Sequence, residues 1–193
     1  MAMPVGRTRS WTPSEVRKLI ADAPLHSPRY ELVDGELLVT PSPAYPHQKA
    51  VVVLVVALAE YLREVDVGEV LTSPSDTEVL PDQITQPDVF VLSKGEAARL
   101  RVQGFPAREL LLAVEVVSPS SARYDRVVKR GVYQQRVPEY WVVDPDARIV
   151  ERWRTQDARP EIVAGSLSWQ PDAKHRAFTL DLAAFFGSVH GEG

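Results

Sequence analysis

The sequence predicts an α/β fold in which a mixed central β-sheet carries helices on its faces. Seven of the eight residues at 110–117 are apolar, as in a strand buried on both faces of a sheet. A second apolar stretch, Val89-Phe90-Val91-Leu92, precedes it, and a helical pattern lies to either side of the pair. The one polar residue of the central stretch is Glu115, near its exit. A carboxylate there is costly unless it is paired, hydrogen-bonded, protonated or bound to a cation, so its position asks for a chemical reason.

In chain order, Thr12-Pro13-Ser14-Glu15 has the form of a helix start, with Thr12 as N-cap, Pro13 at the first helical position and Glu15 closing a capping box. A short helix follows to about residue 22, and Ala23-Pro24 ends it. Ser27-Pro28 leads into two short apolar stretches, 29–33 and 36–40, joined by Asp34-Gly35, a strong signal for a two-residue β-hairpin. The hairpin brings Glu31 and Glu36 close together. Residues 41–46 are proline-rich and read as a loop. The valines of residues 47–64 favour a strand, but 18 residues without a turn signal fit a buried helix better.

Short strands are expected at 67–71 and 76–80, a turn at Pro81-Asp82, and a buried strand at 89–92. Residues 94–104 read as a short helix or a loop. After the central strand, Ser118-Pro119-Ser120 stops the chain, and a helix is expected over about 122–135. A strand at 139–143 and another at 149–153 form a hairpin across Asp144-Pro145-Asp146-Ala147. Residues 154–180 read as short strands and loops, 181–186 as one helical turn, and 188–193 as a frayed tail.

The 193 residues suit one domain, with its core at about 28–187 and tails at 1–10 and 188–193. Composition is ordinary for a globular chain, 45% apolar and 25% charged. There is no cysteine, so any metal must be held by oxygen or imidazole, and hard cations such as Mg²⁺ or Mn²⁺ are the natural candidates. The N-terminus has no signal-peptide pattern, and the longest apolar run, 50–59, is too short to span a bilayer. No membrane association and a cytoplasmic location are therefore the expectation. A formal net charge of −4 leaves nucleic-acid binding to a local basic patch.

Asp88 and Glu115 form the informative pair. Each sits on an apolar strand of the sheet interior, and adjacent strands would bring both within reach of one divalent ion, which could activate water and polarise a phosphoryl oxygen. Taken singly, Pro-Asp before a strand is also ordinary turn chemistry, and one buried Glu can simply pair with an Arg. Lys129 could stabilise charge on a phosphate oxygen. Equally, it could form an exposed i,i+4 pair with Asp125, worth only about 0.2–0.5 kcal/mol. Arg123, Arg126 and Arg130, with Arg136 following, could line a phosphate-binding edge or a solvated face. Glu31 or Glu36 could add a carboxylate, and His47 could contact substrate or bond to the loop before it. There is no Gly-rich phosphate loop, Gly-x-Ser-x-Gly elbow or His-Glu-x-x-His pair.

These motifs together resemble the Uma-two family of bacterial endonucleases, within the PD-(D/E)XK restriction-endonuclease-like superfamily. The resemblance rests on Pro87-Asp88, on Val114 to Ser120 around Glu115, on Asp125, Lys129 and Tyr133, and on Pro138-Glu139-Tyr140-Trp141-Val142-Val143-Asp144-Pro145. Tyr30 to Glu36, and Pro41-Ser42-Pro43 followed by His47, fit as well. It implies a restriction-endonuclease-like fold with an N-terminal hairpin and a C-terminal hairpin extension, and Mg²⁺- or Mn²⁺-dependent hydrolysis of DNA. It further implies Asp88 and Glu115 as metal ligands, the Val116 carbonyl as a further ligand and Glu36 as the extra acid, while the residues themselves put His47, Arg123, Arg126 and Arg130 forward as the side expected to face nucleic acid. Val117 stands where the superfamily's Glu-x-Lys lysine would be, so the resemblance makes Lys129, on the following helix, its substitute. A homodimer is implied by analogy with relatives. The rival readings are a non-catalytic DNA-binding or protein-interaction module on the same fold, and a metal-dependent hydrolase of a small phosphorylated molecule.

Overall fold

A computed structural model describes residues 10–23, 29–40, 44–118 and 121–192. The turn and loop readings at Pro24, at Ser27-Pro28, at Pro41 to Pro43 and at Pro119-Ser120, with most of the N-terminal tail, lie outside these residues.

Helix α1 (Pro13–Asp22) begins with the expected capping box: the Thr12 hydroxyl accepts from the Glu15 N–H, and the Glu15 carboxylate accepts from the Thr12 N–H at 2.9 Å. Strands β1 (Arg29–Val33) and β2 (Glu36–Thr40) form an antiparallel hairpin. Its Asp34 and Gly35 both have positive φ, 50° and 78°, as a tight two-residue turn requires. Helix α1 packs on this hairpin through Val16, Leu32 and Ile84. Helix α2 (Tyr45–Val65) is the valine-rich segment. Its buried residues, Ala50, Leu54, Leu58, Tyr61, Leu62 and Val65, recur at helical spacing, so tertiary burial outweighs the strand preference of the valines.

The central sheet has six strands: β3 (Gly68–Thr72), β4 (Val89–Ser93), β5 (Leu110–Val116), β6 (Glu139–Asp144), β7 (Ile149–Arg154) and β8 (Glu161–Val163), in that spatial order. Strands β5 and β6 are parallel and the other pairs antiparallel, so the sheet is mixed. Residues 94–103 form helix α3 (Lys94–Gln103), capped by the Ser93 hydroxyl. The helix expected over 122–135 runs as α4 (Ala122–Tyr124), a π-helical turn (Asp125–Lys129) and α5 (Arg130–Tyr133), and it supplies the crossover between β5 and β6. Near the C-terminus, β9 (Ser166–Trp169) and β10 (Phe178–Asp181) pair as a separate hairpin before helix α6 (Leu182–His190).

Alternation along the strands divides the core in two. Val89, Val91, Leu112, Val114, Val116, Trp141 and Val143 face α2, α6 and the β9–β10 hairpin. Phe90, Ala113, Tyr140 and Val142 pack on the other side with Val132 and Tyr133 of α5. Glu115 lies between Val114 and Val116, and so belongs to the second side.

Two expectations are corrected. Residues 76–80 form no strand; Thr77 makes only isolated bridges, to Thr85 and Ala107, and its buried hydroxyl is spent on Thr85 at 2.8 Å. Residues 188–190 complete α6 in place of fraying, because Leu182, Phe185, Phe186 and Val189 form one buried stripe packed with α2. Among the described residues no helix is long and apolar enough to cross a membrane.

Gly68 opens the edge strand β3, where a Cβ would stand 2.0 Å from the Leu92 carbonyl oxygen. That neighbour is backbone and cannot swing aside. Gly68→Ala is therefore expected to lower stability by about 1–3 kcal/mol through forced displacement of β3, measured by urea unfolding.

Candidate active site

The ends of β4 and β5 create the site. Val89 pairs with Val114 in antiparallel register, so Asp88, one residue before β4, continues the register opposite Glu115. Both fall on the side of the sheet covered by α4 and α5. Asp88 and Glu115 are 2% and 1% exposed, which makes their partners decisive.

Asp88 is fully engaged. Arg29 on β1 donates to Asp88 Oδ1 at 2.7 Å, and the Val116 N–H donates to Oδ2 at 2.9 Å. His47 Nε2 of α2 lies 3.0 Å from Oδ2, and the other ring nitrogen, Nδ1, is buried without a hydrogen-bond partner. Burial works against the Asp88 charge, but the His47 hydrogen bond and the nearby Arg29, His47 and Lys129 charges outweigh it and hold the pKa below the ordinary carboxylate range.

Glu115 belongs to a second group, centred on Lys129. The Lys129 ammonium lies 3.1 Å from Glu115 Oε1, 3.0 Å from Glu31 Oε2 and 3.4 Å from Asp125 Oδ1. All four side chains are at most 4% exposed. Tyr133 donates to Glu115 Oε1 at 3.4 Å, and the Gln86 N–H donates to Glu31 Oε1 at 2.7 Å. Glu31 Oε2 faces the ammonium without a properly directed hydrogen bond. One cation thus meets three buried carboxylates. Burial raises the Glu115 pKa well above normal, and the Asp88, Asp125 and Glu31 charges reinforce this against the pull of Lys129. Burial likewise raises Asp125. For Lys129 burial acts the other way, but the surrounding acids overcome it and keep the amine charged. Acids outnumber cations in this group, and burial together with the neighbouring acids pushes Glu115 toward its neutral form.

The remaining residues named from sequence take different places. Glu36 pairs with Val33 across the hairpin, on the same face as Glu31, but it is exposed near the hairpin tip, so Glu31 occupies the position at the lysine. The two glutamates differ in depth along one strand face, which spacing cannot reveal. The i,i+4 contact of Asp125 with Lys129 exists, though buried and not on an exposed face. Arg126 is bound by Asp144 and Glu151. Arg130 stacks over the Trp153 ring at 4.7 Å. These two arginines therefore brace the sheet and do not form a basic edge, whereas Arg123 is exposed. Arg29 was not singled out by the sequence. The period-2 placement of Arg29, Glu31 and Val33 was its only signal, because it puts a charge pair on one strand face.

The donors near Asp88 and Glu115 are hard oxygens with excess negative charge, the chemistry that divalent cations require. Among the described residues, however, no three acidic or imidazole side chains converge in an arrangement ready to hold an ion.

Lys129→Met should leave the acids facing one another, raising the folded-state pKa values of Glu115 and Asp125 further. A carboxyl raised on folding contributes stability that is present below its unfolded pKa and lost as pH rises through the folded value. The variant is therefore expected to lose about 3–5 kcal/mol at pH 8 and distinctly less at pH 5, measured by urea unfolding at the two pH values. An equal loss at both would show that Lys129 does not neutralise the group.

Comparison with known proteins bears on the fold and the family. No curated protein sequence matches the chain. A crystal structure described as a putative nuclease belonging to DUF820 from Anabaena variabilis superposes with a TM-score of 0.67, covering 88% of this chain and 96% of that one at 17% identity. At that identity the likeness is one of fold. The profile of the Uma2 family, described as "Putative restriction endonuclease", matches residues 15–183, and the chain belongs to that family.

Proposed function

We propose that the protein hydrolyses phosphodiester bonds in DNA with the help of Mg²⁺ or Mn²⁺. The observation that carries this reading is the surplus of buried carboxylates around Lys129, next to Asp88 on the neighbouring strand. Fold stability alone does not call for four acids in one dry region, and family membership supplies the reaction class.

Asp88 and Glu115 would hold the ion, with Glu31 as the third acid and the Val116 carbonyl as a further oxygen. When bound, a divalent ion supplies Lewis-acid polarisation of a phosphoryl oxygen and acidifies water. The chain's own groups do the rest. Arg29 and His47 keep Asp88 ionised. Tyr133 orients Glu115 through its hydroxyl. Lys129, released from part of its acid shell when another cation shares those charges, steadies negative charge on the phosphate. Arg123, exposed on α4, and His47 are the residues proposed to face the nucleic acid.

The full hydrogen-bond set of Asp88 favours a second reading, a non-catalytic module that keeps the fold. Calorimetry with Mn²⁺ separates the two: heat of binding that Glu115→Gln abolishes supports the nuclease, and no heat supports the module.

Supercoiled plasmid incubated with the protein and Mg²⁺ or Mn²⁺ should be nicked or linearised. Glu115→Gln and Asp88→Asn should abolish cleavage, and Lys129→Met should slow it by about 10²–10³-fold. Cleavage that persists unchanged in Glu115→Gln would sink the proposal.

The third acid can be identified separately. Glu31→Gln is expected to lower cleavage about 10–100-fold while Glu36→Gln leaves it near wild type. The reverse ranking, read from initial rates, would restore Glu36 to the site.

A further inference from the structure

Buried polar atoms in a folded protein are almost always hydrogen-bonded, so each one that is not calls for an explanation, a bound ligand among them. Among the described residues five buried side-chain atoms have no partner, and four belong to residues in or beside the candidate site: Glu31 Oε2, His47 Nδ1, Gln86 Oε1 and the Tyr124 hydroxyl. The first three are acceptors. Glu31 and Gln86 present oxygens that only accept, and a neutral His47 ring, with Nε2 turned to the ionised Asp88, carries its proton there and leaves Nδ1 to accept. Acceptors suit a cation or its water. An anionic phosphate needs donors, and of these four atoms the Tyr124 hydroxyl is the one that donates.

Tyr124 stands in the single turn of α4, next to the exposed Arg123. Its ring is half-buried and packs on the side of the sheet that carries Glu115, with the hydroxyl oxygen shut from solvent. Glu31, Lys129, Glu36 and Asp125 are the charges that act on it, which places it by the acid face of the hairpin. Two other tyrosines of this region are spent inside the protein: Tyr133 donates to Glu115, and Tyr140 donates to the Asp125 carbonyl. Tyr124 has carboxylates nearby and donates to none of them. Burial and the same acids push its pKa far above the ordinary tyrosine range, so the donor is present at every working pH. Being neutral, it also escapes capture by the acids that surround Lys129. Asp88, Glu115 and Lys129 are shut from solvent to a like degree, so a phosphate oxygen brought to Lys129 is brought to this hydroxyl as well.

We propose that Tyr124 is a further catalytic residue, its hydroxyl donating a hydrogen bond to a non-bridging oxygen of the scissile phosphate beside Lys129. The bond strengthens as negative charge gathers on that oxygen in the transition state, and no covalent bond is made or broken at the tyrosine. This assignment rests on the nuclease reading above.

Tyr124→Phe removes the hydroxyl and keeps the ring. In plasmid cleavage the variant should lose about 10–100-fold in kcat with KM within about twofold of wild type, because the contact is realised in the transition state. The heat of Mn²⁺ binding should be unchanged. Its urea midpoint should equal or exceed that of the wild type, since the group removed has no partner, whereas Tyr140→Phe, which strips a hydrogen bond already made, should lower it. Wild-type kcat in Tyr124→Phe overturns the proposal and leaves the nuclease reading standing. A slow variant with a lowered midpoint or lost Mn²⁺ heat overturns it equally, because the hydroxyl would then support the fold or the metal site through a bridging water. A wild type that neither takes up Mn²⁺ nor cleaves DNA fails the nuclease reading itself, and the assignment falls with it.

Discussion

A single buried ammonium holds three separate parts of the chain together. Lys129 on the crossover helix meets Glu31 from the N-terminal hairpin, Glu115 from the central strand and Asp125 from its own helix. Each carboxylate would be costly in that place without it, and the ammonium would be costly without them. The hairpin, the sheet and the crossover helix are thereby fixed relative to one another by charge as well as by apolar packing. Hydrophobic contact alone would tolerate sliding of the hairpin; a buried ion pair does not, because a small displacement leaves an unpaired charge in a dry region.

The two strand-end carboxylates are driven in opposite directions by their different surroundings. Asp88 is ionised, held by Arg29, His47 and the Val116 amide, while Glu115 is biased toward the neutral acid by its burial among other acids. Two adjacent carboxyls driven in opposite directions are a common feature of hydrolytic sites, since one group can accept a proton where the other cannot. In this protein the difference arises from which cation each acid meets. Among the described residues Arg29 and His47 form their ion pairs with Asp88 alone, whereas Lys129 is shared three ways.

The crossover helix shows how local irregularity serves this arrangement. Its π-helical turn spans Asp125 to Lys129, with the Arg130 N–H reaching back to the Asp125 carbonyl. Both side chains that the cluster draws from the helix thus bound the widened turn, and Tyr140 of β6 donates to the same Asp125 carbonyl at 3.0 Å. Such turns are rare in helices and recur where side chains must be placed for chemistry.

Much of the architecture could be read from local pattern. The Thr12 capping box, the Asp34-Gly35 turn, the apolar runs of β4 and β5 and the Asp144 to Ala147 turn are all short-range signals, and each produced the element it implied. The lone acid in an apolar strand also marked Glu115 correctly as buried. Depth and partnership were not local properties. Glu31 and Glu36 share one hairpin face, yet only the packing of Lys129 from the crossover helix and of the Gln86 backbone covers the first, and the second is left at the tip. The arginines after Ser121 form one run in sequence, but Asp144, Glu151 and Trp153, from strands that follow, decide that Arg126 and Arg130 are structural. Sequence by itself determined the elements and the unusual acids, because those follow from neighbours a few residues away. Which acid meets which cation was settled only by the tertiary structure, because charge pairing in a dry interior depends on distances that the fold sets between residues far apart in the chain.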